Sequence, residues 1–307
     1  LRDRATELEI LINEALFSST RVVASTLVSS NHRILNGRRF STLFIDEAAQ
    51  ALEAACWIAI RKADRVIFAG DHCQLPPTIK CIEAARGGLD HTLMEKVVAN
   101  KPISVSLLKV QYRMNESIMR FPSEWFYNNQ LESAPEIRQR GILDFDTPMI
   151  WIDTSEMECH EEFVGESFGR INKPEANLLL QELESYIQKI GENRVLDEQI
   201  DFGLISPYKA QVQYLRNKIK SNSFFRRFRP LITVNTVDGF QGQERDVIFI
   251  SLVRANESGQ IGFLNDLRRM NVAITRARMK LVILGNATTL TKHTFYHKLM
   301  EYIQKQF

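Results

Sequence analysis

The sequence predicts an α/β chain built on parallel sheets and divided into two units, and three observations predict it. Short apolar, β-prone runs recur with amphipathic helical segments between them, the alternation that gives parallel strands joined by crossover helices. Several runs stop at a glycine or an acid, as in "TLFIDE" and "RVIFAGD", and ligands of open α/β sheets collect just beyond such strand ends. Finally, Pro102 interrupts the chain after the helical stretch "HTLMEKVVAN", which sets a first unit before about Lys101 and a second after it.

The elements follow in order. The opening "LRDRATELEILINEALF" has a helical pattern and begins at Leu1 rather than Met, so it reads as a piece of something longer. Strands are expected at "RVVAST", "TLFID" and "RVIFAGD" in the first unit. After the break they are expected at "VSLLKV", "MIWIDT", "FGLIS", "LITVNTV", "DVIFISLV" and "KLVILGN". A helix is expected from "EAAQALEAACWIAI". In "PEANLLLQELESYIQKI" Pro174 suits a helix start and the apolar stripe faces a core. The stretch from Ser155 to Asn172, with its cluster "EMECHEEF" and scattered glycines, reads as a surface insertion or loop.

Composition narrows the function classes. A chain of 307 residues suggests about two domains with substantial cores. Its 39 basic and 37 acidic side chains leave a formal charge of +2, so any basic surface must be local. Cys56, Cys73, Cys81 and Cys159 are too scattered for a zinc site or a disulfide framework and read as reduced thiols of an intracellular protein. No apolar run approaches the roughly 20 residues that cross a bilayer, and no charged-then-apolar leader opens the chain; a soluble protein without a membrane partner is expected.

The chemistry gathers at strand ends. Asp46 and Glu47 close the run "TLFIDE", where they either serve a metal or favour the first turn of the following helix. "RVIFAGDHCQLPPT" ends a second strand at Gly70 and Asp71, and its stiff loop presents the Gln74 amide. Two adjacent strands thus deliver Asp46, Glu47, Asp71 and Gln74 to one rim. Acids hold a hydrated Mg²⁺, a glutamate polarises water and a glutamine amide reports on a terminal phosphate, which together describe nucleoside-triphosphate hydrolysis. The second half adds positive charge at fixed places, in "QYRMNESI" and "RRMNVAITRARMKLVILGN". Between them, "VNTVDGFQGQERDVIFISLV" reads as strand, glycine-bearing loop and strand.

These segments resemble motifs II to VI of superfamily 1 helicases. The forms "DEAAQ", "GDHCQLPP", "QYRM", "TVDGFQGQE" and "NVAITRAR" are similar to the Upf1-like group within superfamily 1B, from about Val22 to Asn286. The resemblance implies two RecA-like P-loop NTPase domains: a stalk-like helix over 1–20, a partial first domain over 21–103 with motifs II and III, and a second domain over 104–307 with motifs IV to VI. It implies ATP and Mg²⁺ as cofactors, a cleft between the domains for the nucleotide, and single-stranded DNA or RNA as partner. Asp46 would bind Mg²⁺, Glu47 would position or deprotonate the attacking water, and Gln74 would contact the γ-phosphate. Arg113 and Arg276 would be arginine fingers. Tyr112 would stack on the base, Gly242 would let the backbone approach the phosphates, and Glu244 would bond the ribose. For Arg278 a structural ion pair and a phosphate contact both stay open.

Nucleic-acid positions are implied too. Thr26, the segment "SPYKAQ" with Pro207 and Tyr208, and Thr236 match places where the family touches the strand backbone; each hydroxyl also suits a turn or helix cap. In "FFRRFRP", Arg226, Arg227 and Arg229 interleave with aromatic rings. The mixture suits single-strand binding by charge and stacking, or a loop that tucks its Phe rings into the core and leaves arginine solvated.

One departure matters. No Gly-Lys-Ser or Gly-Lys-Thr occurs anywhere in the 307 residues, so the phosphate-cradling loop is absent. The opening helix is similar in position to the stalk that returns from the family's inserted 1B domain, so a truncated chain that starts after that loop is expected. Its partner would be the N-terminal P-loop segment of the same protein, and these residues alone should not hydrolyse ATP efficiently. The whole protein would move toward the 3′ end of a single strand. The rival is a non-catalytic nucleic-acid-binding or scaffold protein that keeps the helicase shape.

Overall fold

The computed structural model describes residues 2–165 and 169–306. The chain divides into two compact units, Leu1–Val105 and Ser106–Phe307. Among the described residues no helix is long and apolar enough to cross a membrane.

The first unit opens with the helix Arg2–Ser19, which leaves Leu8, Ile10, Leu11, Ile12 and Leu16 exposed. Strand β1 (Phe40–Ile45) pairs in parallel with β2 (Ala63–Phe68), and the helix Glu53–Ile60 lies between them in the chain. Their register runs from Phe40 opposite Ala63 to Ile45 opposite Phe68, so both strands end at the same rim. A small core gathers Ile45, Ala48 and Cys56 with Leu43, Val66, Phe68, Leu93 and Met94. The helix Leu93–Asn100 starts on a capping box, with the Thr92 hydroxyl accepting from the Glu95 amide and the Glu95 carboxylate from the Thr92 amide.

Two expectations fail here. "RVVAST" forms no strand, and Val22 is 83% exposed. A strand must pair its N–H and C=O groups with a neighbour, and among the described residues β1 and β2 pair only with each other. The helix expected from Glu47 begins at Glu53 instead, after a 3₁₀ turn over Ala48–Gln50, because Glu47 has a left-handed backbone, φ 51°.

In the second unit "VSLLKV" shrinks to β3 (Val110–Gln111), paired with β4 (Glu132–Ser133), and Leu108 is exposed. The chain continues through β5 (Met149–Asp153) and an antiparallel hairpin of β6 (Glu162–Val164) and β7 (Gly169–Ile171). The stretch 155–172, expected as a surface insertion or loop, carries this hairpin, whose β6 is exposed while its base is anchored. Asn172 and Cys159 are buried, and Glu161 pairs with Arg254 at 2.7 Å and Arg170 at 2.5 Å. Then come β8 (Phe202–Ser206), β9 (Ile232–Thr236), β10 (Arg245–Ser251) and β11 (Ala277–Gly285).

The main sheet has the order β5-β11-β10-β8-β9, all parallel. Its β8, β10 and β11 are buried along nearly their whole length, as parallel strands covered on both faces must be. Phe202, Leu204, Val247, Phe249, Val282 and Leu284 meet Leu179, Leu183 and Ile187 of the helix Lys173–Ile190. Asn172 caps that helix by accepting from the Glu175 amide, Pro174 sits in its first turn, and Gly191, at φ 99°, ends it.

Gly203 in β8 has no room for a side chain. A Cβ there would come within 2.5 Å of Ile248 Cδ1 and 2.9 Å of the Phe240 ring. Gly203→Ala is therefore expected to lower stability by about 1–3 kcal/mol. Urea denaturation checks this: a lower midpoint is expected, and an unchanged one contradicts the close packing.

Candidate functional site

The first unit's rim is built from the strand register. The Ala69 amide donates to Ile45 O at 2.8 Å, and the Ala48 amide returns to Ala69 O at 2.9 Å. Gly70 lies so close that a Cβ there would sit 3.0 Å from the Ala48 nitrogen and 3.1 Å from that of Ala49. The chain leaves β1 through this narrow passage by turning at Glu47 into the left-handed region, a conformation that costs a non-glycine residue about 1–2 kcal/mol. Such strain persists where the surroundings fix it, and it gathers at functional positions.

Asp46 and Glu47 are both exposed. Asp46 Oδ1 accepts the Glu47 amide at 2.9 Å, and Glu47 Oε2 accepts the Gln50 side-chain amide at 2.6 Å. Glu47 is the N-cap residue of the 3₁₀ turn Ala48–Gln50, but its side chain makes no cap bond there. Past β2, Asp71 organises its loop: Oδ1 accepts the Cys73 amide at 2.9 Å and Oδ2 the Gln74 side-chain amide at 2.8 Å. Among the described residues Asp71, His72 and Cys73 hold ligand atoms within 4.8 Å of one another, but a thiol does not suit Mg²⁺ and both Asp71 oxygens already accept. Asp46 offers the hard carboxylate oxygen that Mg²⁺ requires.

In the second unit, Arg245 at the start of β10 pairs in register with Ala277 of β11, so Glu244, Arg276 and Arg278 meet at the amino edge of the sheet. The Gln111 side-chain carbonyl oxygen accepts the amides of Arg113 and Met114, which sets the turn that carries "QYRM". Arg113 Nε then donates to Glu244 Oε2 at 2.5 Å and Nη1 to Thr275 O at 3.2 Å. Tyr112 is 66% exposed, its ring presented to solvent. Arg276 is buried: Nε donates to Val272 O, Nη1 to Gln243 O and Nη2 to the Thr275 hydroxyl. Gly242, at φ 74° with nothing within 4 Å of a Cβ, keeps an open loop.

Arg278 takes the ion-pair alternative, with Asp246 at 2.9 Å, Asp201 at 3.3 Å and Glu244 at 3.7 Å. Burial pushes the Asp246 carboxyl up, while the Asp201 amide and Arg278 pull it back. Arg140, which no motif marks, joins the cluster by donating to Arg278 O. Burial and then Arg278 press its pKa down.

Known families match this chain over most of its length. The description "AAA domain" fits residues 89–288, and a second AAA-domain description fits 1–81. The chain belongs to the AAA-domain family, within its Upf1-like superfamily 1 helicases. An uncharacterized ATP-dependent helicase of Methanocaldococcus jannaschii is 36% identical over 299 residues, covering 96% of this chain and 43% of that protein. DNA-binding protein SMUBP-2 of Mesocricetus auratus is 34% identical over 307 residues, covering 96% and 30%. A regulator of nonsense transcripts 1 homolog of Arabidopsis thaliana is 37% identical over 314 residues, covering 98% and 24%. The chain thus spans less than half the length of each of these relatives.

In this Upf1-like chain the expected strand-contact positions have local partners. Thr26 Oγ1 accepts the Ser29 amide at 3.2 Å and Thr236 Oγ1 the Gly239 amide at 3.3 Å, so both hydroxyls close turns. Pro207 is half-buried. Tyr208 is buried, with its phenol accepting from Arg254 at 3.4 Å and its ring against Phe263. In "FFRRFRP" the rings of Phe225 and Phe228 are fully buried in the core, which corrects the stacking alternative. Arg226, Arg227 and Arg229 lie outside; Arg227 reaches Glu192 at 3.3 Å and Arg229 donates to Lys220 O.

A buried carboxylate escaped the sequence reading. Glu175, in the first turn of its helix, accepts the Ser251 hydroxyl at 2.5 Å and the Val253 amide at 2.8 Å on Oε1. It props a bend in which Val253 adopts φ 69°, just before Arg254. Burial pushes its carboxyl from 4.5 up to about 7, and the Ser251 and Val253 bonds oppose this. Between those two values the folded chain keeps a proton that the unfolded chain has lost, so stability falls as pH rises through that window. The slope approaches about 1.4 kcal/mol per pH unit for one proton. Urea midpoints measured from acid to neutral pH should fall for the wild type and less steeply for Glu175→Gln. Identical pH dependence in the two proteins contradicts this.

Proposed function

We propose that these residues carry the metal-binding acid, the water-activating acid and the arginine donors of an ATP-dependent, nucleic-acid-stimulated helicase that moves toward the 3′ end of a single strand. The observation that carries the reading is the Asp46–Glu47 pair, held at the joint end of two parallel strands, with Glu47 in a left-handed backbone and its side chain making no helix-cap bond.

Each side chain has a task. Mg²⁺, bound with the nucleotide, supplies charge neutralisation of the triphosphate. Asp46 would hold that ion, and Glu47 would orient the attacking water and accept its proton. Gln74, steered by Asp71, would sense the γ-phosphate. Arg113 would donate to the phosphoryl group being transferred. Arg276 is proposed as the second donor, which requires its guanidinium to turn out from the carbonyls of Val272 and Gln243. Tyr112 would stack on the base, Glu244 would bond the ribose, and Gly242 would leave its backbone open to phosphate. Thr26, Thr236, Pro207 and the backbone beside Tyr208 would lie along the strand, where phosphate contacts position without reading sequence. DNA and RNA both satisfy that chemistry.

Hydrolysis also needs backbone amides and a lysine around the β- and γ-phosphates. No Gly-Lys-Ser or Gly-Lys-Thr lies within the sequence, so we assign the cradle to a segment of the same polypeptide outside residues 1–307. The protein that includes it should hydrolyse ATP faster when a single strand is present. It should unwind a duplex with a 5′ overhang and fail on one with only a 3′ overhang. Arg113→Ala should lower turnover about 10³-fold or more, with poor rescue by lysine, which lacks the planar fork. Strand binding without ATP-dependent movement on either overhang supports the scaffold reading instead.

A further inference from the structure

At the amino ends of β1 and β2 the first unit carries a second polar feature. A cavity of about 430 Å³ is walled by Arg38, Arg39, Arg61 and Lys62, with Asn31, Asn36 and the apolar Ile58 completing it. With β1 six residues long, it lies about 20 Å along the strand from the Asp46–Glu47 rim.

The charge here is poorly neutralised. Among the described residues Arg38, Arg61 and Lys62 have no carboxylate within ion-pair distance, and Arg39 has one, the exposed Asp64 at 2.6 Å. Two of the cations are fixed by uncharged partners: Lys62 Nζ donates to Leu35 O at 2.9 Å, and Arg38 Nε donates to Ile34 O while its guanidinium lies over the Phe17 ring. Arg61 stands exposed at the carboxyl end of the helix Glu53–Ile60, where peptide dipoles favour a cation. Gly37, at φ 72° with open space where a side chain would stand, also lines the cavity.

We propose that this cavity is a second contact site for the phosphodiester backbone of a nucleic acid, separate from the positions proposed to follow the translocated strand. Four cations facing a single acid suit a chain of regularly spaced anions, and guanidinium forks match phosphate oxygens. In a protein whose formal charge is only +2, attraction for a polyanion must come from such local excess. The assignment rests on the nucleic-acid function proposed above.

The test is the salt dependence of binding to a long fluorescent single-stranded oligonucleotide, read by anisotropy for three variants of the chain. Each phosphate that a variant no longer neutralises should make the slope of log affinity against log salt shallower by about 0.7. Arg39→Ala with Arg61→Ala should therefore flatten it by about 1.4, and Arg61→Ala alone, which breaks no side-chain bond among the described residues, by about 0.7. Arg39→Lys with Arg61→Lys should keep the wild-type slope, because counterion release follows charge. Tight wild-type binding with an unchanged slope in both alanine proteins overturns the cavity and leaves the nucleic-acid function standing. Loss of binding to a polyglutamate peptide in the alanine proteins, with oligonucleotide binding intact, reassigns the cavity to carboxylates. A wild-type chain that binds no oligonucleotide overturns both proposals.

Discussion

The site in the first unit depends on one steric constraint, the close approach of Gly70 to the amides of Ala48 and Ala49. With β1 and β2 in parallel register to Ile45 and Phe68, the chain beyond Ile45 must pass under the end of β2. The passage is narrow enough that Glu47 takes a left-handed backbone. That conformation separates the two acids: Asp46 bonds back to the Glu47 amide, while the Glu47 side chain lies beside Gln50. Adjacent acids on an ordinary extended strand would point to opposite faces. The turn lets both leave the sheet at its end, and the cost of about 1–2 kcal/mol is small against the packing of Ile45, Ala48 and Cys56 that holds it.

The amino edge of the second unit obeys a different rule, that guanidinium groups in partly buried places must be matched. Arg278 has three acids around it, Arg276 is met by carbonyls, and Arg113 rests on Glu244. These partnerships differ in how easily they exchange. Arg113 and Glu244 remain 34% and 40% exposed, and ion pairs so open to water contribute little. A ligand that competes for either group displaces the other at small cost. Arg276 is nearly enclosed and would need its loop to move.

Much of this was legible in the residues. The parallel strands of the second unit announce themselves through continuous apolar runs, and the end of β1 through the change from Ile45 to Asp46. What was not legible follows from pairing and from long-range contact. "RVVAST" and most of "VSLLKV" have the composition of strands, but composition does not supply the neighbouring strand that their backbone groups need. "EAAQALEAACWIAI" looks helical throughout, and only the approach of Gly70, distant in sequence, explains why the helix waits until Glu53. In "FFRRFRP" both alternatives fit the local chemistry, and the room available in the core beside Leu215 and Ile219 decided for buried rings. Glu175 lies in an apolar helical stripe, and its Ser251 and Val253 partners are far along the chain, so no local pattern reveals it.

The central claim is that Asp46 and Glu47 divide the work at one phosphate, the first holding metal and the second activating water. ATP affinity as a function of Mg²⁺, measured beside single-turnover hydrolysis in the protein that contains the phosphate-cradling loop, tests it most directly. Asp46→Asn should weaken binding mainly where Mg²⁺ is present. Glu47→Gln should bind Mg²⁺ and ATP as the wild type does and fail to turn over, because an amide keeps the shape but accepts no proton. Normal turnover by Glu47→Gln, or identical binding and turnover defects in the two variants, would contradict the account.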